Sequence, residues 1–137
     1  MRARFGSVAA MLLAAWAVCA DDLTGADAFL CSAVQATQCK ADGECTSGPP
    51  WNWQFPQFLE IDLKKGSMAT TQASGDNRTT PILSSERAQG RILLQGRQLG
   101  RAFSMVVTEQ TGVASVAIAA EGMTVTVFAA CTPMGRR

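Results

Sequence analysis

The chain has no histidine and no tyrosine. A serine or cysteine nucleophile would have no imidazole beside it to act as base, and the commonest zinc ligand is missing. Blocks of like charge are missing too. The formal net charge is +1, and it becomes −1 once Arg2 and Arg4 leave with an export signal. Such a pattern offers no electrostatic footprint for nucleic acid or an anionic membrane. After residue 20 no apolar run is long enough to cross a bilayer, so no span is expected in the mature chain. No cofactor is expected either.

Carboxylate pairs remain as a catalytic resource. Glu60 and Asp62 project from the same face of one strand, but Lys64 lies beside them and the face reads as solvated rather than as a glycosidase cleft. Asp42 and Glu44 sit in "ADGE", which lacks the full acidic pattern of a calcium loop and reads as a turn. The expectation is a protein that is not an enzyme.

What is present begins with an export signal over residues 1–20. Arg2 and Arg4 give the positive start, "VAAMLLAAWAV" an apolar run too short for a membrane anchor, and "VCA" a small-residue cleavage site ending at Ala20. Lipid attachment at Cys19 is disfavoured by the bulk of Val18. Residues 21–137 then form a single domain, periplasmic or secreted.

Four cysteines remain in that domain, an even number that suits an exported, disulfide-stapled fold. Three pairings are open. Cys39–Cys45 and Cys31–Cys131 are favoured, the first closing the short loop "CKADGEC" and the second tying the two ends of the domain. Closing the longer loop stabilises by about 4–5 kcal/mol on the chain-entropy argument. A zinc site is the rival reading, but the spacings are not CxxC pairs.

Turn punctuation gives the fold class. Glycines at 90, 100, 112 and 122 recur about every ten to twelve residues, with β-branched, alternating runs between them. A turn at Leu99-Gly100 sets Ile92 against Val107, Leu94 against Met105 and Gly96 against Phe103, whose ring can lie over the bare glycine. A turn at Thr111-Gly112 sets Val107 against Val116 and Met105 against Ile118. One at Glu121-Gly122 sets Val116 against Val127 and Ile118 against Val125. Upstream, Lys65-Gly66 sets Leu63 against Met68, and Ala88-Gln89 pairs Leu83 with Leu94 and Glu86 with Arg91. The bulky aliphatics all fall on one face. The predicted strands are 28–37, 58–64, 67–72, 79–87, 91–98, 101–109, 113–120 and 123–131.

An even count lets the last strand of an up-and-down meander close on the first, with Cys31 and Cys131 at the seam. The expected fold is therefore all-β: a small antiparallel meander forming an eight-stranded closed or nearly closed barrel, with an open sheet or sandwich as the alternative. Phe103, Met105, Ile118, Val125 and Val127 are bulky for so small a cylinder and favour a filled interior.

"CTSGPPWNWQFPQF" carries two tryptophans, two phenylalanines and three prolines. Proline keeps the segment extended, and period-two spacing puts Trp51, Trp53 and Phe55 on one side. They cover a barrel mouth, or else the small-residue outer face that carries Val106 and Phe128. They are the candidate ligand-contacting residues. Arg91 and Arg97, on the outer face of one hairpin, are the candidates for binding a carboxylate, a phosphate or a partner protein.

The segments "FLCSAVQATQC", "CTSGPP", "FLEIDL", "NRTTPI" and "VFAACTP" together resemble a family of small exported proteins of proteobacteria. That resemblance implies a compartment and no activity. A cysteine pair clamping the ends of a small β-barrel also looks like the periplasmic C-type lysozyme inhibitors. That likeness is architectural, no inhibitory-loop motif occurs, and no site residue carries over. The functional expectation is a non-enzymatic exported binding module with the aromatic, Pro-rich loop near its site and a small apolar ligand. The alternative is a protein-interaction module, such as an inhibitor of an envelope enzyme, acting through the arginine face.

Overall fold

A computed structural model describes residues 21–74 and 77–135; the expected signal lies outside them. Nine strands follow one another: β1 (Ala28–Lys40), β2 (Cys45–Gly48), β3 (Phe58–Asp62), β4 (Ser67–Thr70), β5 (Thr79–Ala88), β6 (Arg91–Gln98), β7 (Arg101–Thr108), β8 (Val113–Ala120) and β9 (Met123–Pro133). All pairs are antiparallel, and β9 returns to β1. The result is a closed eight-stranded barrel, with β2 as an extra strand on the extension of β1.

The seam is the longest pairing in the fold. It runs from Phe29 opposite Pro133 to Lys40 opposite Met123. Cys31 faces Cys131 directly across it and the two are disulfide-bonded. Cys39 likewise faces and bonds Cys45 across the β1–β2 hairpin. Two disulfides fit an oxidising compartment.

β1 changes neighbour halfway along one edge. Its first part pairs with β3 and its second part with β2. Val34 is an extra residue between the two, the register slipping between Ala33 and Gln35. That bulge lets Ala36 face inward after Phe29, Cys31 and Ala33, and puts Val34 outside. The barrel interior holds Phe29, Ile61, Ile92, Leu94, Val107, Val125 and Val127, all essentially solvent-free.

Register matches expectation at the Leu99-Gly100 and Glu121-Gly122 turns. Leu99 and Gly100 both have positive φ (51° and 74°), as a two-residue hairpin turn requires, and Leu94–Met105, Ile92–Val107 and Gly96–Phe103 pair. A Cβ on Gly96 would lie 2.5 Å from Phe103 Cζ, so the ring does rest on the glycine. Val116–Val127 and Ile118–Val125 pair as well.

Three registers differ. At β7–β8 Met105 faces Val116 and Phe103 faces Ile118, two residues from expectation. The reversal there is longer than two residues, closed by Gly112 N–H donating to the Thr108 carbonyl. At β3–β4 Ile61, not Leu63, faces Met68, because the chain turns over four residues with Asp62 Oδ1 accepting the Lys65 N–H. At β5–β6 the turn is Gln89-Gly90, both with positive φ, so Ala88 faces Arg91 and Leu94 faces Ser85. Leu83 bulges out of that ladder, which is why it meets solvent rather than Leu94. Leu83 apart, the two-residue slips keep the side chains on their expected faces, since strand faces alternate with period two.

One end of the barrel is closed by a segment for which the sequence suggested no role. Leu23 is fully buried in the core, and its N–H donates to the Glu109 carbonyl. Arg87 bonds the Ala26 carbonyl and forms an ion pair with Glu109 at 3.2 Å. Nearby, Asp22 Oδ1 accepts the Thr24 N–H at 2.9 Å, and its bonds to the Thr24 side chain and backbone hold its pKa below the ordinary carboxylate value. The opposite end carries the Pro-rich loop.

Candidate ligand cavity

The wall of the cavity is set by β7. Every second residue from its start points inward: Arg101, Phe103, Met105 and Val107. Exposure falls with depth, the first two half-buried, Met105 at 5% and Val107 at zero. Across the hairpin the matching inward positions are Gln98, Gly96, Leu94 and Ile92. The absence of a side chain at Gly96 leaves room for the Phe103 ring, whose Cζ and Cε1 atoms come closest to the bare glycine.

Below these residues the interior is packed; above them it is not. A cavity of about 80 Å³ remains at this end, with Ala33, Met105, Val116 and Ala129 among its apolar lining and Trp53 and Phe55 closing it from above. By the same measure one water needs roughly 10–15 Å³, so the space exceeds a packing defect several-fold. The expected filled interior therefore holds only for the lower half of the barrel. Two small residues explain the remainder. Ala33 and Ala129 face each other across the seam where larger aliphatics would reach the axis.

The lid is not extended. Pro49 has φ −63° and ψ 141°, and Pro50 then starts a single 3₁₀ turn, Pro50–Trp53, where its missing N–H is no loss. Gln54 ends the turn in the left-handed region, φ 61°. With three residues per turn, positions two apart do not share a face. Trp51 thus points to solvent, 55% exposed, while Trp53 and Phe55 pack on the core. The expectation that all three share one side is overturned. Trp53 also rests on Gly48, where a Cβ would meet its ring at 3.4 Å. The loop covers the mouth and not the outer face, on which Val106 and Phe128 remain exposed.

Hydrogen bonds hold the lid to the rim. Arg78 Nη2 donates to the Gln54 carbonyl at 3.0 Å. Arg78 itself is fixed by its N–H to Thr70 Oγ1 at 2.8 Å, and Thr70 N–H donates back to the Arg78 carbonyl. At the lid's exit, Ser74 Oγ accepts from the Phe58 N–H and donates to the Phe58 carbonyl, and Ala33 N–H donates to the Gln57 carbonyl.

Most of the polar lining lies at this rim, Thr80 alone being buried, paired with Met68. It includes two arginines, Arg78 and Arg101, with Gln98 and Thr70, and among the described residues it contains no carboxylate. Among the described residues, no carboxylate forms an ion pair with Arg101.

Of the residues singled out from the sequence, Trp53 and Phe55 come together at the cavity. Trp51 lies outside it, bordering a shallow outer groove. Arg91 and Arg97 are outward on β6, as expected, but six residues apart, which places them about 20 Å from each other along the strand. They do not form one anion site. Arg97 lies in a groove at the β6–β7 hairpin tip. Glu60 and Asp62 flank the buried Ile61 on the outer face, and Asp42 Oδ1 caps its own turn by accepting the Glu44 N–H.

Arg101, Arg78 and Gln98 were missed as site residues. The signal for Arg101 was available: the Leu99-Gly100 turn that puts Phe103 and Met105 inside gives Arg101 the same parity. For Arg78 no such signal existed, because its place depends on the β4–β5 loop. Comparison with family models, with curated proteins and with solved structures finds no match. The chemistry of the site therefore rests on its residues.

Proposed function

We propose that the protein is a non-enzymatic, exported binding module, periplasmic in setting, that holds a small apolar ligand in the barrel beneath the Trp53–Phe55 lid. The observation that carries this reading is the lined, lidded space of about 80 Å³ at the mouth of the barrel, beneath Trp53 and Phe55. A chain selected only for stability would gain by filling it, since voids cost packing energy.

Titration of the oxidised protein with short- and medium-chain aliphatic compounds tests it, with Trp53 emission as readout in a Trp51→Phe background. Saturable binding is expected. Ala129→Leu fills the cavity from the seam and should abolish that binding while leaving the unfolding midpoint unchanged or higher. Undiminished binding in Ala129→Leu, or no saturable binding by any aliphatic compound, would reject the cavity as the site. Fractionation of cells making the full chain tests the compartment: recovery in the cytosol with intact residues 1–20 would oppose it.

A second reading, docking to an envelope protein, is favoured by the outward row on β6. Arg91 and Arg97 bracket Leu93, which is exposed and aligned with the exposed Val106 of β7. Pull-down from an envelope extract should then lose its partner in Arg91→Ala and in Arg97→Ala. Full retention by both variants would remove this reading.

A further inference from the structure

The proposed apolar ligand can be given a head group. We infer that the cavity takes an amphiphile bearing a carboxylate, a short- or medium-chain fatty acid in chemical class, with its chain in the barrel and its anionic end at Arg101. The inference rests on the cavity being the binding site and adds the polarity of what binds there.

Three observations carry it. First, Arg101 occupies an inward register position, in line with Phe103 and Met105, and not an outward one like Arg91 and Arg97. An arginine at the inward end of a strand is costly to desolvate unless an anion or water meets it. Second, the lining separates by depth. Apolar side chains such as Met105, Val116 and Ala33 form most of the interior, with Thr80 the one buried polar residue of the lining, and the charged and amide side chains, Arg101, Arg78 and Gln98, gather at the rim. That is the order in which an amphiphile presents its parts. Third, among the described residues the lining has no carboxylate, so the charge those residues place at the mouth is of one sign. A planar guanidinium matches a carboxylate through two parallel N–H···O bonds, and the neighbouring Gln98 side-chain amide lies directly across the hairpin from it to add a donor.

Candidate surfaces elsewhere carry less. The exposed row of Leu93, Val106 and Phe128 on the outer wall has nothing beside it that says what covers it.

The experiment compares octanoate with octanol, and decanoate with decanol, on the full oxidised chain. Binding is read by Trp53 fluorescence in the Trp51→Phe background and by calorimetry. The acids should bind more tightly than the matched alcohols, by on the order of ten- to a hundredfold, the usual worth of a charge-assisted contact. Arg101→Gln should weaken the acids far more than the alcohols and bring the two series together, and 0.5 M salt (about 3–5 Å of Debye screening) should narrow the gap in the parent protein. Thermal melts of Arg101→Gln confirm that the fold is kept; Arg101→Lys, which keeps the charge but loses the fork, should fall between. Equal binding of acid and alcohol, or a preference that survives Arg101→Gln, overturns the head-group inference while leaving the cavity in place. Failure of both series to bind overturns the cavity reading itself, and the head-group inference with it.

Discussion

The backbone carbonyl of Gln54 accepts a hydrogen bond from Arg78 Nη2 at 3.0 Å, so the lid is latched to the β4–β5 side of the mouth by one long side chain. The latch is exposed, and such a bond contributes about 1 kcal/mol. Arg78→Ala should loosen the lid far more than the barrel. Acrylamide quenching of Trp53, with Trp51 replaced by Phe, should rise several-fold while the global unfolding midpoint shifts little. Unchanged quenching would mean that core packing and the bonds at Gln57 and Phe58 hold the lid without Arg78.

Gly96 and Phe103 should behave as a coupled pair. Adding a methyl at Gly96 places it 2.5 Å from the ring and 3.0 Å from the Pro81 carbonyl. Gly96→Ala is expected to cost about 1–3 kcal/mol by overpacking. Phe103→Leu should relieve much of that cost, giving a favourable interaction energy in a double-mutant cycle measured by denaturant unfolding.

The two disulfides should differ in worth. Cys31 and Cys131 are 100 residues apart in sequence, Cys39 and Cys45 only 6. Chain entropy assigns about 4–5 kcal/mol to the first and about 2–2.5 kcal/mol to the second. Cys31→Ala with Cys131→Ala should lower stability by roughly twice as much as Cys39→Ala with Cys45→Ala, read from urea midpoints. Equal losses would mean that the seam is held by its ladder and not by its cross-link.

At the closed end, Arg87→Met should strand the buried Glu109 carboxylate, whose side chain is only 8% exposed. A loss of about 2–3 kcal/mol is expected, moderated by the partial exposure of Arg87. Leu23→Ala should cost a similar amount through the cavity it leaves. Hydrogen exchange at the Leu23 amide should accelerate in both variants, ahead of exchange in β8.

The sequence yielded the barrel because alternation and glycine spacing report which face is inside, and a strand's face is a local property. It also yielded the Leu99-Gly100 register, since a two-residue turn leaves one pairing. It misjudged the reversals near Gly66 and Gly112, where side chains such as Asp62 bond backbone and lengthen the turn. It could not show β2, whose "CTSG" has no hydrophobic pattern; the strand pairs with β1 through a short ladder, the Cys39–Cys45 disulfide and a Thr37–Ser47 hydroxyl bond. In the lid, two adjacent prolines suggested an extended chain, yet Pro50 is the first residue of a 3₁₀ turn. Proline fixes φ near −65°, a value shared by both conformations. The choice between them is made by Trp53, which reaches the core only if the chain coils. Arg101 was readable by parity, since it shares the inward parity of Phe103 and Met105.

The β1–β9 ladder has a consequence for how the chain acquires its shape. The first strand waits for the last, across a sequence separation near the full length of the domain. A polypeptide emerging N-terminus first has Ala28–Lys40 in hand, one edge bare, until the residues from Met123 onward appear. Assembly is thus committed late, non-local and slow relative to a helical domain of the same size. Until that moment the open edge is an invitation to a stray neighbour, so the nascent protein depends on escort that the finished one does not need.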